Sequence, residues 1–171
     1  VVDYQSIGER YLMATTSCFI HSLLTLPVCD QTDFTVLARH CEHLADALLE
    51  CTDPLLRLAL CERLNTSLSL LRPTLLEPVP AHLAESLTTD SMAPENPEPA
   101  TIGFAPDSEQ LCDYALALSQ LLACHTLPPG CTQPLRGLLN DVVSQFASLL
   151  CAPRWRNTPQ GRAWIDTPGS V

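Results

Sequence analysis

A chain of 171 residues with 46% hydrophobic content can bury a real core, but only 5% of it is aromatic. That mixture argues against a β-sandwich and for helices packed through Leu, Ala and Cys. The formal net charge of -10 repels phosphate backbones and excludes general nucleic-acid binding.

Tyr11 to Val28 carries no formal charge. Thr15, Thr16, Ser17, His21, Ser22 and Thr25 make this stretch too polar for a membrane span. A buried helix is expected instead, from about Asp3 to a stop at Pro27. The second helix follows Thr32 or Asp33 as cap. Phe34, Leu37, Cys41, Leu44, Leu48 and Cys51 recur at spacings of 3, 4, 3, 4 and 3, an inward seam. Arg39, Glu42, His43, Asp46 and Glu50 fall off it and face water.

Thr52-Asp53-Pro54 restarts the chain as a third helix, which runs to about Arg72 with Leu56, Leu60, Leu64, Ser67 and Leu71 along one stripe. Residues 73–106 hold seven prolines and the acids Glu77, Glu85, Asp90, Glu95 and Glu98. This composition predicts a partly disordered acidic linker that crosses the bundle or separates two halves, with a short helical turn around His82 to Leu87. Asp107 and Gln110 have the spacing of a capping box for a fourth helix, with Leu111, Tyr114, Leu118, Leu121 and Leu122 inward. Pro128-Pro129-Gly130 ends it. The fifth starts near Thr132, with Leu135, Leu138, Val142, Phe146 and Leu149 as its stripe. Residues 153–171, with Arg154, Trp155, Arg156, Arg162 and Trp164, read as an irregular tail.

One pattern occurs twice: a charge-free run ending in Thr-Leu-Pro (25–27 and 126–128), then a Cys, a Gln and an amphipathic helix. At an offset of 101, Phe34 falls on Leu135, Leu37 on Leu138, Cys41 on Val142 and Leu48 on Leu149. Internal duplication and chance alignment of Leu-rich helices both explain it. Either way each unit has a buried first helix and a half-exposed second one.

The fold class is therefore all-α: a bundle of about five helices, as two antiparallel hairpins plus a middle helix. Helices one to three occupy 1–72, the linker 73–106, and helices four and five 107–152, packed on the first part as one domain.

Nine cysteines, an odd count without clustering and with none paired as CxxC, read as core thiols of a reducing compartment. Disulfides pinning the hairpin turns are the alternative. Zinc has weak candidates in His40, Cys41 and His43, in Cys18 with His21, and in Cys124 and His125 before Cys131. Cys41 points into the seam and no four ligands share a face, so no metal or cofactor is expected. There is no GxSxG, no HExxH and no phosphate-cradling loop; a spatial Cys124–His40 pair is the only catalytic arrangement worth checking, and no enzyme activity is expected.

All nine basic side chains are Arg, which suits a host-directed viral or bacterial effector without amines to modify, or drift in a GC-rich genome. The chain opens on Val1 rather than Met, which reads as a fragment or a processed chain. The leading expectation is a non-enzymatic intracellular adaptor or scaffold, cytoplasmic or nuclear. It would bind another protein through a helix groove or exposed Leu patch, with no nucleic acid and no membrane span. Leu75, Leu76, Val79 and Leu83 of the linker, with Trp155 and Trp164 of the tail, are the candidate contact residues. The alternative is a secreted, disulfide-containing bundle resembling cytokines in size and leucine content. The one sequon, Asn65-Thr66-Ser67, lies on a helix.

Overall fold

The computed structural model describes residues 19–90, 106–124, 127–128 and 130–165. Five helices pack together: α1, described over 19–25, α2 (Phe34–Glu50), α3 (Pro54–Leu71), α4 (Ser108–Ala123) and α5 (Thr132–Cys151). α1 ends where Pro27 removes the next backbone donor; the expected start near Asp3 lies outside the described residues.

Local chemistry accounts for the boundaries. Asp53 caps α3, its Oδ1 accepting from the Leu55 and Leu56 amides at 2.8 and 3.0 Å, while Pro54 opens the helix without needing a donor. Asp107 and Gln110 form the reciprocal box that their spacing predicts. Asp33 sits at the cap position of α2, but its carboxylate bonds His82 Nε2 at 2.7 Å instead of a helix amide. Arg136 of α5 closes the other end of α2, donating Nη1 to the Leu48 and Cys51 carbonyls at 3.0 and 2.8 Å, with Nη2 bonded to Gln133.

Helices α2 to α5 form a ring in which each packs against its two chain neighbours and α5 closes on α2. Every adjacent pair is antiparallel. Along α5 the partners of Arg136, Asn140, Ser144 and Cys151 descend through Leu48, Asp46, Glu42 and Thr35 of α2. Asn65 pairs with Ser119, and Cys112 with the Leu68 carbonyl, in the same reversed sense between α3 and α4. Leu37, Cys41, Leu44, Leu60, Leu64, Leu68, Leu111, Leu139, Val143 and Phe146 fill the interior. Ile20 and Leu23 of α1 join this core, and Arg63 donates to the Leu26 carbonyl, tying α1 to α3 on the side of buried His40.

The seam read for α2 is correct: Leu37, Cys41, Leu44, Leu48 and Cys51 are all buried. The stripes read for α4 and α5 are displaced. On α4 the buried positions are Leu111, Cys112, Ala115 and Ser119. On α5 they are Leu139, Val142, Val143, Phe146, Ala147 and Leu150. On α4 three of the four buried positions are the small residues Cys112, Ala115 and Ser119, with Tyr114 and Leu121 at the rim; on α5 Val142 and Phe146 are inward as read, while Leu138 and Leu149 give way to Leu139, Val143 and Leu150. The buried faces of α2 and α5 therefore match at an offset of 102 (Leu37 with Leu139, Cys41 with Val143, Leu44 with Phe146, Leu48 with Leu150), not 101. The expected division into buried first and half-exposed second helices also fails: α2 and α5 have more buried positions than α4.

The segment expected to be a loose linker packs tightly over its first half. Residues Arg72–Leu76 and Ala81–Leu83 form short 3-10 turns, and Leu83 and Leu87 are buried. α3 ends and α4 begins at the same end of the bundle, where Arg72 forks onto Asp113 at 2.6 and 3.0 Å, and at that end His82 of the described part bonds Asp33 at the start of α2. Residues 91–105 lie outside the described residues.

The tail over 155–164 is not irregular. It is a hairpin of β2 (Trp155–Thr158) and β3 (Gly161–Trp164), joined by parallel pairing to β1 (Thr88–Thr89). Gly161 turns the chain at φ 119°, where a side chain would be strained. The Trp155 and Trp164 rings meet edge to face at 5.3 Å across the pair. The sheet caps the end of the bundle that carries the α2 and α4 N-termini and the α5 C-terminus.

Candidate functional site

Charge and burial first remove several chemical readings. The eight described cysteines are free thiols. Burial pushes Cys41 and Cys112 up to about 12, and Cys61 up to about 11 despite the guanidiniums of Arg136 and Arg57 nearby. Such thiols stay protonated at neutral pH and pack as small apolar groups rather than as nucleophiles. Cys124 lines a depression of about 250 Å³ at the end of the bundle away from the sheet, with Leu48, Arg57, Leu58, Cys61 and Leu122. His40 is not among its lining residues, so the Cys124–His40 pair considered from sequence is not assembled. Among the described residues no three metal-ligating side chains converge. No helix among them is long and apolar enough to cross a membrane.

The outer edge of the α4–α5 seam is more informative. On α5, Asn140, Ser144 and Cys151 bond to α2, so that flank faces α2. At about 100° per residue, Leu138, Val142, Gln145 and Leu149 lie on the opposite flank, toward α4. On α4, Cys112 and Ser119 contact α3, which leaves Tyr114, Leu118 and Leu121 on the flank toward α5. The two rows meet along one groove. Tyr114 is 40% exposed, Leu121 43%, Leu138 50% and Leu149 37%. Four large apolar side chains thus line one face about three turns long, where scattered single leucines would need no explanation.

Charge is sparse on these two helices, and exposed Asp141 stands one turn from Leu138 and Gln145 at the edge of the face. The two helices carry only Glu109, Asp113, Arg136 and Asp141, of which Asp113 is held by Arg72 and Arg136 by the end of α2. The Arg72 fork also holds the Asp113 carboxyl below its usual range, chiefly through the side-chain hydrogen bond. By contrast α1 is tied to α3 through Arg63 and the Leu26 carbonyl and adds Ile20 and Leu23 to the core, on the α2 flank that holds buried His40. No helix among the described residues lies on the α4–α5 pair in the same way.

The residues chosen from sequence fare differently. Leu83 is buried and Leu75 half-buried against the core, so both hold the connection to the bundle. Val79 is half-buried, and Leu76 stands out in solvent. Trp155 is half-buried beside β1, while Trp164 is 52% exposed. None of the six lies on the α4–α5 face. Sequence reasoning placed Tyr114, Leu121, Leu138 and Leu149 in the core. The available signal was the run of small inward residues beside them: Cys112, Ala115, Ser119 and Ala147.

Compared with protein-family models, with curated proteins and with solved structures, the chain matches none.

Proposed function

We propose that this chain is a non-enzymatic protein–protein interaction module, an adaptor or scaffold segment that takes a partner's helix on its α4–α5 face. The observation that carries this reading is the uncharged apolar row of Tyr114, Leu121, Leu138 and Leu149 on a helix pair that no described helix covers. An amphipathic helix laid in such a groove buries leucines that otherwise cost free energy in water, at roughly 25 cal/mol per Å². The α1 helix already packs Ile20 and Leu23 onto the core beside α3, so the fold has a working example of a helix added to the ring. Packing of Cys41, Cys61 and Cys112 as protonated core thiols, with Cys51 also buried, supports a reducing compartment, cytoplasmic or nuclear.

Photo-crosslinking in the cells of origin tests the reading. A photoreactive residue at Leu138 or Leu121 is expected to give a discrete adduct with another protein, lost when Leu149 is changed to Arg. The same probe at Leu55, an exposed leucine on α3, should give none. Equal adducts at all three positions, or none at Leu138 and Leu121, would defeat the proposal.

A further inference from the structure

A second surface, independent of the α4–α5 face, is the outer edge of β3. The sheet order is β1-β2-β3, so among the described residues β3 has a neighbour on one side only. The Ile165 amide bonds the Arg154 carbonyl at 2.9 Å, which makes 154 with 165 a hydrogen-bonded pair. Pairs alternate along an antiparallel ladder, so Arg156 with Ala163 is bonded and Trp155 with Trp164, like Asn157 with Arg162, is not. The backbone amides and carbonyls of Arg162 and Trp164 therefore point away from β2, to the open edge. On β2 the equivalent groups are used: the Trp155 amide reaches the Leu87 carbonyl beside β1.

The side chains sort the same way. Trp155, Asn157, Arg162 and Trp164 share one face of the hairpin, by cross-strand pairing and period-two alternation. Arg154, on the opposite face, donates to the Leu149 carbonyl at the end of α5, so that face turns toward the bundle. The Trp–Arg face turns outward, with Trp164 half exposed and Arg162 exposed. Of the arginines at 154, 156 and 162, Arg162 is the one on this face, since Arg154 and Arg156 alternate onto the bundle side. Asp90 is the nearest carboxylate on this face among the described residues, and it accepts from Asn157 at 2.6 Å. Arg162 makes no ion pair with a described residue.

We infer that the β3 edge is a docking site for an extended acidic peptide segment, which adds to the sheet as a fourth strand. Its backbone pairs with Arg162 and Trp164, and its alternate acidic side chains meet Arg162 beside the Trp155–Trp164 platform. A charged residue on an open edge also prevents unwanted pairing. Here the two roles agree, because Arg162 would face Arg162 if two copies met edge to edge, whereas an acidic strand is attracted. An oligonucleotide has no backbone that both donates and accepts along the ladder, so a peptide strand is the occupant that the edge fits.

Trp155 and Trp164 are the only tryptophans in the chain, so intrinsic fluorescence reports this hairpin alone. The full chain is titrated with a capped ten-residue peptide of alternating Glu and Thr, with its Lys–Thr counterpart, and with a ten-nucleotide oligo-dT. A saturable emission change is expected with the Glu–Thr peptide, weakened by salt. Binding of the Lys–Thr peptide and of oligo-dT should be about ten-fold weaker or absent. Arg162→Glu should cost about ten-fold in affinity and Arg162→Gln less, with the far-UV circular dichroism unchanged. No saturable change with the Glu–Thr peptide, unaltered affinity in Arg162→Glu, or oligo-dT binding as tight as the peptide's would each overturn the inference.

Discussion

Truncating Leu139 to alanine is expected to remove about 2–5 kcal/mol of unfolding free energy, while the same change at its neighbour Leu138 removes less than about 1. The two side chains differ by one position and by almost everything else. Leu139 is fully buried against α2 and the core; Leu138 is half exposed on the α4 flank. A cavity left by Leu139 has no room to collapse between packed helices, so the lost transfer energy and the cavity term add. At Leu138 water already reaches much of the side chain, and truncation removes only a partial contact. Urea unfolding of the two variants measures this directly, with midpoints compared at unchanged slope. Equal losses, or a larger loss at Leu138, would restore the register in which Leu37 matches Leu138 and would bury the face assigned to docking.

The second large effect is on pH dependence, through His40. This side chain is buried on α2, and its Nε2 has no hydrogen-bond partner among the described residues. Burial lowers its pKa below 6.5, and the charges of Arg63 and His43 lower it further. The folded protein thus holds this proton less tightly than the unfolded chain does. Stability from His40 is fully present above pH 6.5 and is lost as pH falls below it toward the depressed folded value. Arg63 also ties the Leu26 carbonyl, so charging His40 sets two cations against each other at the α1 seat. Unfolding midpoints at pH 7.5 and pH 5 are expected to drop more for the native chain than for His40→Leu. Parallel drops in both proteins would show that His40 does not carry the effect.

The contrast between α2 and the other helices shows what was legible beforehand. On α2 the buried Ala38, Ala45 and Ala47 flank Leu37, Cys41, Leu44 and Leu48, so the larger side chains mark the centre of the core face and their spacing identified it. On α4 and α5, Cys112, Ala115, Ser119 and Ala147 share the interior with a few large residues. A reading that follows the largest side chains is drawn one position off the axis, and it placed Tyr114, Leu121, Leu138 and Leu149 inside. The caps at Asp53 and Asp107 were readable because each is a local exchange of side chain and amide within four residues. The hairpin was not, since Trp155 depends on Trp164 and on Thr88, a strand contributed from far earlier in the chain. Proline content misled over 72–90: prolines at 73 and 80 set up 3-10 turns that deliver Leu83 and Leu87 to the bundle. Trp155 and Trp164 were legible as candidate contact residues among arginines, but their pairing and their backbone edge became visible only with the strand register.

The claim on which the functional account rests is that the α4–α5 face is bare in the isolated chain and available to a partner. Hydroxyl-radical footprinting of the purified full chain measures this side chain by side chain. Tyr114, Leu121, Leu138 and Leu149 are expected to oxidise at rates comparable to exposed Leu55, and far faster than buried Leu139 and Leu150. Protection of those four at the level of Leu139 would mean that the chain already covers its own face, and the docking account would fall.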